Sequence, residues 1–279
     1  METQQYWSMT EGVFNCLIDE KRSLAFKKAI KKTIRKGDVV VDMGTGSGIL
    51  AMFAAKAGAK KVYAVEIDTN NVRTLQSTFL ENGLADVIEV IHADVTKVTL
   101  PEKVNVIIGE MIATALIEEL QVPAMNNILK CAKRNCRVLL SKYTTHLDLV
   151  HNNEMYYGNR FKLIRYEYPD LIKLKSKIYS KQNVVSEIDF SKKTSSLKVS
   201  KKFAIKITKN GVINGIRLSG KTTFYDNSTL GATYAYDYPI ILPIDEISVA
   251  KGDTIYVSLS YTISGGLQSV KFSASKTKL

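Results

Sequence analysis

One heptapeptide limits this chain more than any other: Asp42-Met43-Gly44-Thr45-Gly46-Ser47-Gly48, set behind the apolar triplet Val39-Val40-Val41. Glycines at alternate positions let a backbone turn tightly and approach a ligand without Cβ clashes. The triplet before them reads as a strand buried on both faces. Residues 49–57 after them read as a helix, with Gly58 placed to cap it. The same order then repeats. Val62-Tyr63-Ala64-Val65 predicts a second buried strand, residues 70–82 a helix, residues 87–91 a third strand and residues 104–108 a fourth. Residues 113–130 predict one helix, bent near Pro123, and residues 137–140 a fifth strand. Residues 10–35 precede all of this as a helical stretch ended by Gly37-Asp38. Strands alternating with helices imply a parallel sheet covered by helices on both faces.

Past residue 143 the pattern changes. Residues 201–209, 212–218, 238–244 and 254–263 are rich in β-branched and aromatic side chains. Asn210-Gly211, Asn214-Gly215, Lys251-Gly252-Asp253 and Gly265-Gly266 punctuate them and predict hairpins. The expected fold class is therefore α/β plus β. A Rossmann-like domain with an N-terminal helical segment covers residues 1–142, and an antiparallel β-rich domain of barrel or sandwich type covers residues 143–279. No low-complexity linker separates them, so close packing is expected.

The turn also narrows the ligand. Gly44, Gly46 and Gly48 form Gly-x-Gly-x-Gly, not the Gly-x-Gly-x-x-Gly of dinucleotide sites. An acid, Asp42, stands just before them. An acid beside an exposed turn suits the charged methionine end of S-adenosylmethionine, which brings no pyrophosphate needing a helix N-terminus. Glu66 closes the second strand, where a carboxylate can accept from both ribose hydroxyls. Asp94 follows the third strand, where an acceptor can meet the adenine amine. Ile67 and Val95, next to these acids, complete the expected cofactor set. Each acid taken singly also reads as a solvated loop end, but three at successive strand ends of one sheet point to a class I S-adenosylmethionine-dependent methyltransferase. His92 reads as a structural residue.

Composition excludes other classes. Apolar residues make up 45% and charged residues 24%, as in ordinary globular proteins. No run of eighteen apolar residues occurs, so no membrane span is expected. Residues 1–8 lack a signal-peptide pattern. Cys16, Cys131 and Cys136 are too few for a disulfide framework, and with His146 and His151 they match no common zinc spacing. No metal is expected, and a reducing cytoplasm is the simplest setting. The net charge of +12 is uneven: residues 143–279 hold 20 basic and 11 acidic side chains, and residues 160–209 hold 14 and 4. Such a stretch is either a solvated, lysine-rich surface or a face for something anionic, such as RNA or a ribonucleoprotein.

Several segments carry a more specific likeness. Cys16 to Phe26, Gly48 to Glu66, Leu100-Pro101-Glu102-Lys103-Val104 with Gly109-Glu110, and Ile247 to Asp253 resemble the protein arginine methyltransferases. The likeness is strongest over residues 16–120. It implies that Arg22 contacts the cofactor carboxylate. It also implies that Glu110 and Glu119, nine residues apart, hold a substrate guanidinium from one loop. Two carboxylates can grip a planar cation in fixed directions and draw charge away from the attacking nitrogen. Glu118 competes with Glu119 for the second place.

The departures are equally definite. Met111-Ile112-Ala113 replaces Trp-Met-Gly after the first glutamate, and Tyr234-Ala235-Tyr236 stands for the family's Thr-His-Trp loop. Tyr6-Trp7-Ser8 does not keep the family's aromatic pattern, and the place of the dimerisation arm is short and lysine-rich, leaving the oligomeric state open. The resemblance implies methyl transfer to a protein side-chain nitrogen, arginine first, in a protein or ribonucleoprotein partner. Two alternatives stay open: an RNA methyltransferase using the basic face, and a cofactor-binding scaffold without catalysis. Against common RNA chemistries, the fourth strand ends in Gly109-Glu110-Met111-Ile112 without an Asn/Asp-Pro-Pro-aromatic pattern, and no cysteine follows a proline.

Overall fold

The structure, a computed structural model, describes residues 10–168 and 175–278. Tyr6-Trp7-Ser8 and residues 169–174 of the basic stretch lie outside the described residues. Two helices, α1 (Thr10–Ile18) and α2 (Glu20–Thr33), lead into β1 (Val39–Met43), α3 (Ile49–Lys56), β2 (Lys61–Glu66), α4 (Thr69–Glu81), β3 (Ile88–His92), β4 (Val104–Gly109), α5 (Gln121–Ile128) and β5 (Ala132–Val138). The five strands form one parallel sheet in the order β3-β2-β1-β4-β5. All five residues of β1 are buried, as strands covered on both faces must be.

That order decides where the site lies. The chain builds outward from β1 to β2 and β3, then returns to lay β4 on the other side of β1. Met43 pairs with Val65 on one flank and Gly109 on the other. The C-terminal end of β1 is therefore the switch point, where open α/β sheets bind ligands. The glycine turn, Glu66 and Glu110 all leave the sheet there.

The remaining strands are β6 (Leu140–His151), the two-residue β7 (Met155–Tyr156), β8 (Asn159–Arg160), β9 (Arg165–Tyr166) and β10 (Lys177–Ile178), then β11 (Asn183–Asp189), β12 (Lys198–Lys206), β13 (Gly211–Phe224), β14 (Thr229–Leu230), β15 (Ile240–Val249), β16 (Thr254–Thr262) and β17 (Lys271–Ser275). They form a seven-stranded sheet around β10-β6-β13-β15-β9, a three-stranded sheet β12-β16-β17, and the pair β7-β8. The long strand β6 runs across the expected boundary at residue 142.

Several expectations need correction. The helical stretch of residues 10–35 divides into two helices at Asp19, whose carboxylate accepts the Arg22 N–H at 3.0 Å and caps α2. Residues 113–130 are not one helix: a 3₁₀ turn at Thr114–Leu116 holds Ala115 and Leu116 at φ +57° and +58°. The α-helix starts only at Gln121, which puts Pro123 in its first turn, where a missing N–H costs nothing. The fifth strand ends at Val138, and Leu140 already belongs to β6. Most of the hairpin signals mark other events. Asn214-Gly215 is a bulge inside β13. Asn210-Gly211 and Lys251-Gly252-Asp253 carry the chain between different sheets. Of the four signals, Gly265-Gly266 joins paired neighbours, β16 and β17.

Candidate active site

The glycine turn is tied to the end of β2. The Thr45 N–H donates to the Val65 carbonyl at 2.9 Å, and the Gly46 N–H donates to Glu66 Oε2 at 2.8 Å. Gly44, Gly46 and Gly48 take φ values of +61°, +55° and +78°, a region L side chains avoid. A Cβ on Gly48 would lie 2.7 Å from Leu75 and Phe79, so this glycine lets α3 start against α4. A Cβ on Gly44 would lie 2.9 Å from Met111 Sδ. One on Gly46 would meet Val13 first, at an ordinary 3.5 Å, which leaves its conformation as the constraint.

Asp42 is not on the exposed side of the turn but wholly buried beneath it. Its Oδ2 accepts from the Thr45 hydroxyl at 2.6 Å, and its Oδ1 is buried without a partner. Burial pushes its pKa up to about 7, against the pull of the Thr45 hydroxyl, with nearby Glu66 adding to the rise.

Glu66 is more committed than its position in the sequence suggests. Besides Gly46, the N–H groups of Ile67 and Asp68 both donate to Oε1 at 2.9 Å. A carboxylate has about four acceptor positions, so a single one remains, on Oε2, instead of a free pair for two hydroxyls. Asp94 is committed to its own turn: Oδ1 accepts the Thr96 N–H at 2.9 Å and hydroxyl at 2.7 Å, and Oδ2 pairs with Lys97 at 3.2 Å. Partial burial opposes its charge, but these partners hold its pKa below the usual range. Val95 is buried, and its carbonyl accepts from Asn127 Nδ2 at 3.1 Å. Ile67, by contrast, is 50% exposed at the strand end. His92 Nε2 lies 3.1 Å from the Ile67 carbonyl, a structural contact.

Across the crevice, Arg22 is buried over the Phe26 ring. Its Nε donates to Glu110 Oε2 at 2.9 Å, Nη2 donates to the same oxygen, and Nη1 donates to the Cys16 carbonyl at 3.1 Å. Burial works against the guanidinium charge, but Glu110 outweighs it and raises the pKa. Two of the five N–H groups of Arg22 stay open. Glu110 Oε1 also accepts the Ile112 N–H at 2.7 Å.

Glu119 makes no side-chain hydrogen bond among the described residues. Burial first, then the charges of Glu110 and Glu118, push its pKa up to about 8, while Arg22 pulls the other way. The loop therefore brings Glu119 close to Glu110. Glu118 instead accepts from the Tyr166 hydroxyl, and burial raises its pKa.

This acceptor loop is clamped from three sides. Gln121 Oε1 accepts the Met111 N–H at 2.8 Å. The Ala115 N–H donates to the Tyr143 hydroxyl at 3.0 Å, which in turn donates to buried Asp237 at 2.6 Å. Ser264 donates from its hydroxyl to the Glu119 carbonyl at 2.7 Å and from its N–H to the Leu116 carbonyl at 2.8 Å. Asp19 reaches the segment lacking the histidine and tryptophan: Oδ2 accepts the Ala235 N–H at 2.8 Å and the Thr233 hydroxyl. Cys16 Sγ lies 3.6 Å from the Ala235 carbonyl, its thiol pushed up to about 12 by burial and then by Glu110. None of Asp19, Cys16, Tyr143, Asp237 and Ser264 was legible as a site residue. Their partners are up to 219 residues away in sequence.

The family model for ribosomal protein L11 methyltransferase (PrmA) matches residues 24–141. The Methanocaldococcus jannaschii protein "uncharacterized protein MJ1452" is 34% identical over 262 residues, covering 92% of this chain and 94% of that one. Protein arginine N-methyltransferase PRMT10 of Oryza sativa subsp. japonica is 45% identical over 105 residues. The chain belongs to the arginine-methyltransferase-like class I methyltransferases. The match to the rice enzyme covers 37% of this methyltransferase and 27% of the rice protein. Among solved structures, a chain of the Trypanosoma brucei PRMT1 enzyme–prozyme heterotetrameric complex with AdoHcy gives a TM-score of 0.75 at 17% identity, over 94% of this chain and 96% of that one. At that identity the likeness is one of fold. S-adenosylmethionine is the cofactor that the glycine turn and the strand-end acids imply. The residues at the switch point fit it: a glycine turn with half-exposed backbone, two open Arg22 donors and one open acceptor on Glu66.

Proposed function

We propose that this methyltransferase acts on a protein arginine, gripped between Glu110 and Glu119. One observation carries the reading: among the described residues the Glu119 carboxylate has no hydrogen-bond partner, and it is raised to about 8 by burial and by a second carboxylate beside it. Two crowded acids at the mouth of a cofactor crevice are a site for a cation. Guanidinium suits it, because its planar donors can serve both carboxylates at once. Glu110 also holds Arg22, so Glu119 supplies most of the free acceptor capacity.

On this reading Arg22 spends its two open N–H groups on the cofactor carboxylate. Glu66 takes one ribose hydroxyl, and exposed Ile67 lies against the adenine with Val95 behind. Asp42 holds the turn from beneath through the Thr45 hydroxyl. The Asp94 carboxylate shapes its turn, leaving backbone groups there for the adenine amine. When bound, the cofactor supplies a methyl group on a cationic sulfur. The chain orients the acceptor nitrogen for in-line attack, draws charge away from it through the two glutamates, and receives its proton after transfer. Most of the acceleration comes from alignment and fixed charge.

The partner is a protein or a ribonucleoprotein, and the setting a reducing cytoplasm. Tritiated cofactor incubated with host-cell lysate tests the acceptor. Label lost to protease supports the proposal, and label lost to ribonuclease moves the acceptor to RNA. No label at all leaves a cofactor-binding scaffold.

A further inference from the structure

The basic stretch of residues 160–209 is not one face. Its first part is neutralised: Arg160 pairs with Glu154 at 2.9 Å and Glu246 at 2.7 Å, Lys162 pairs with Asp245, and further on Lys192 pairs with Asp189 at 3.0 Å. Lys175, Lys177, Lys181, Lys193 and Lys209 have no ion-pair partner among the described residues, but they are spread over several segments, and the densest group of lysines lies on the three-stranded sheet. β12, β16 and β17 hold five lysines and not one aspartate or glutamate. Their register places Lys198 opposite Thr262, Ser200 opposite Ser260 and then Lys271, Lys202 opposite Ser258 and then Ser273, and Lys206 opposite Thr254. This row is exposed or half-buried. On the alternate row Val199, Ile205, Val257 and Leu259 are buried and Phe203 packs against the core, while Lys201 is exposed. Among the described residues, Lys198, Lys202 and Lys271 have no ion-pair partner.

One aromatic ring on the lysine row, Tyr256 opposite Ala204, interrupts the charge, while Phe203 stands on the alternate row and packs against the core. A surface recess of about 220 Å³ is lined by Lys202, Phe203, Ala204, Tyr256, Val257 and Lys278. A half-buried tyrosine ring flanked by lysines, with serine and threonine hydroxyls around it, meets the needs of single-stranded nucleic acid: a stacking surface for a base and cations for its phosphates. An acidic protein segment would use the lysines but has no use for the ring. The position of the sheet adds a reason. β16 ends two residues before Ser264, which holds the Glu119 carbonyl, and Lys198 lies opposite that end.

We infer that the outward face of the β12–β16–β17 sheet docks single-stranded RNA, its phosphates on Lys198, Lys202 and Lys271 and a base in the Tyr256 recess. RNA laid along β12 ends beside the acceptor loop, so the sheet would carry the RNA of a ribonucleoprotein whose protein enters the crevice. This deepens the ribonucleoprotein reading, but its test measures binding and is independent of which atom is methylated.

The probe is a fluorescent twelve-nucleotide oligouridine, followed by anisotropy between 50 and 200 mM salt. Three phosphate contacts on a single strand give a log–log salt slope of about −2, a loss of roughly twentyfold over that range. The triple variant K198E/K202E/K271E should weaken binding at least about tenfold and flatten the slope by about that amount. Tyr256→Ala should weaken binding roughly fivefold or more while leaving the slope unchanged, because stacking carries no charge. Calorimetric cofactor affinity should match the parent in both variants, showing an intact fold. Failure to bind the oligomer, or a triple variant with the parent's affinity and slope, overturns the inference. So does displacement by polyglutamate together with a silent Tyr256→Ala, which would give the face to an acidic protein.

Discussion

Glu119 and Gly46 show how much a single residue can be asked to do. Glu119 has a folded pKa raised from 4.5 to about 8. In the free enzyme it is therefore mostly protonated below pH 8, and a cationic acceptor binds against that proton. Turnover at low acceptor concentration should rise about tenfold per pH unit below 8 and level off above it. Glu119→Gln should flatten this limb of the pH profile, and an unchanged profile would remove Glu119 from the mechanism. Glu110→Gln should lower turnover about 10²-fold or more, on the scale of one preorganised contact. Gly46→Val is a test of the cradle: its Cβ has room, but φ +55° is closed to a β-branched residue. Calorimetry should find cofactor binding lost while circular dichroism finds the chain folded. Gly48→Ala should instead lower the melting temperature, since its Cβ would strike Leu75 and Phe79. The nine-residue spacing of Glu110 and Glu119 was readable because both sit on one loop. The tie between Arg22 and Glu110 was not, because 88 residues separate them.

Elements were readable where periodicity alone builds them. β1 and β2 are apolar runs between turn signals, and parallel strands buried on both faces have to read that way. Residues 113–120 misled because Leu116, Ile117 and Leu120 mimic a helical stripe, while the backbone bends through two left-handed residues. Nothing local dictates that bend. Ala115 is held by the Tyr143 hydroxyl, and the next residues by Ser264 and Gly266. Tyr143→Phe strips the Ala115 N–H and Asp237 of a shared partner, at a cost of about 1–3 kcal/mol. We expect turnover to fall much more than cofactor affinity in that variant, because the loop carries the glutamates and not the cofactor turn. Equal losses in both would show that the loop and the turn are one unit. The hairpin signals failed for a related reason: glycine marks a change of backbone direction, and in this β region such changes are often bulges or crossings between sheets.

Over the whole molecule, buried acids shape the response to pH. Asp42 and Asp237 are each raised to about 7, chiefly by burial, and Glu119 to about 8. Each folded pKa lies above the unfolded one, so the folded chain keeps protons that the unfolded chain releases above about pH 4. Stability should therefore fall as pH rises from about 5 to 8, visible as a declining melting temperature. A melting temperature that rises across this window would contradict the burial of these acids. By itself the sequence determined the alternation of strands and helices, the glycine turn and its ligand class, and the change to β structure near residue 143. These follow from local periodicity and from conformations only glycine adopts easily. Tertiary structure alone decided which acids stay free. Return of the chain to lay β4 beside β1 brought Glu110 to Arg22, backbone amides claimed most of Glu66, and Ser264, in the turn between β16 and β17, holds the Glu119 backbone. Those outcomes depend on contacts between segments up to about half the chain apart, and hydrogen-bonding capacity is divided only once the segments meet.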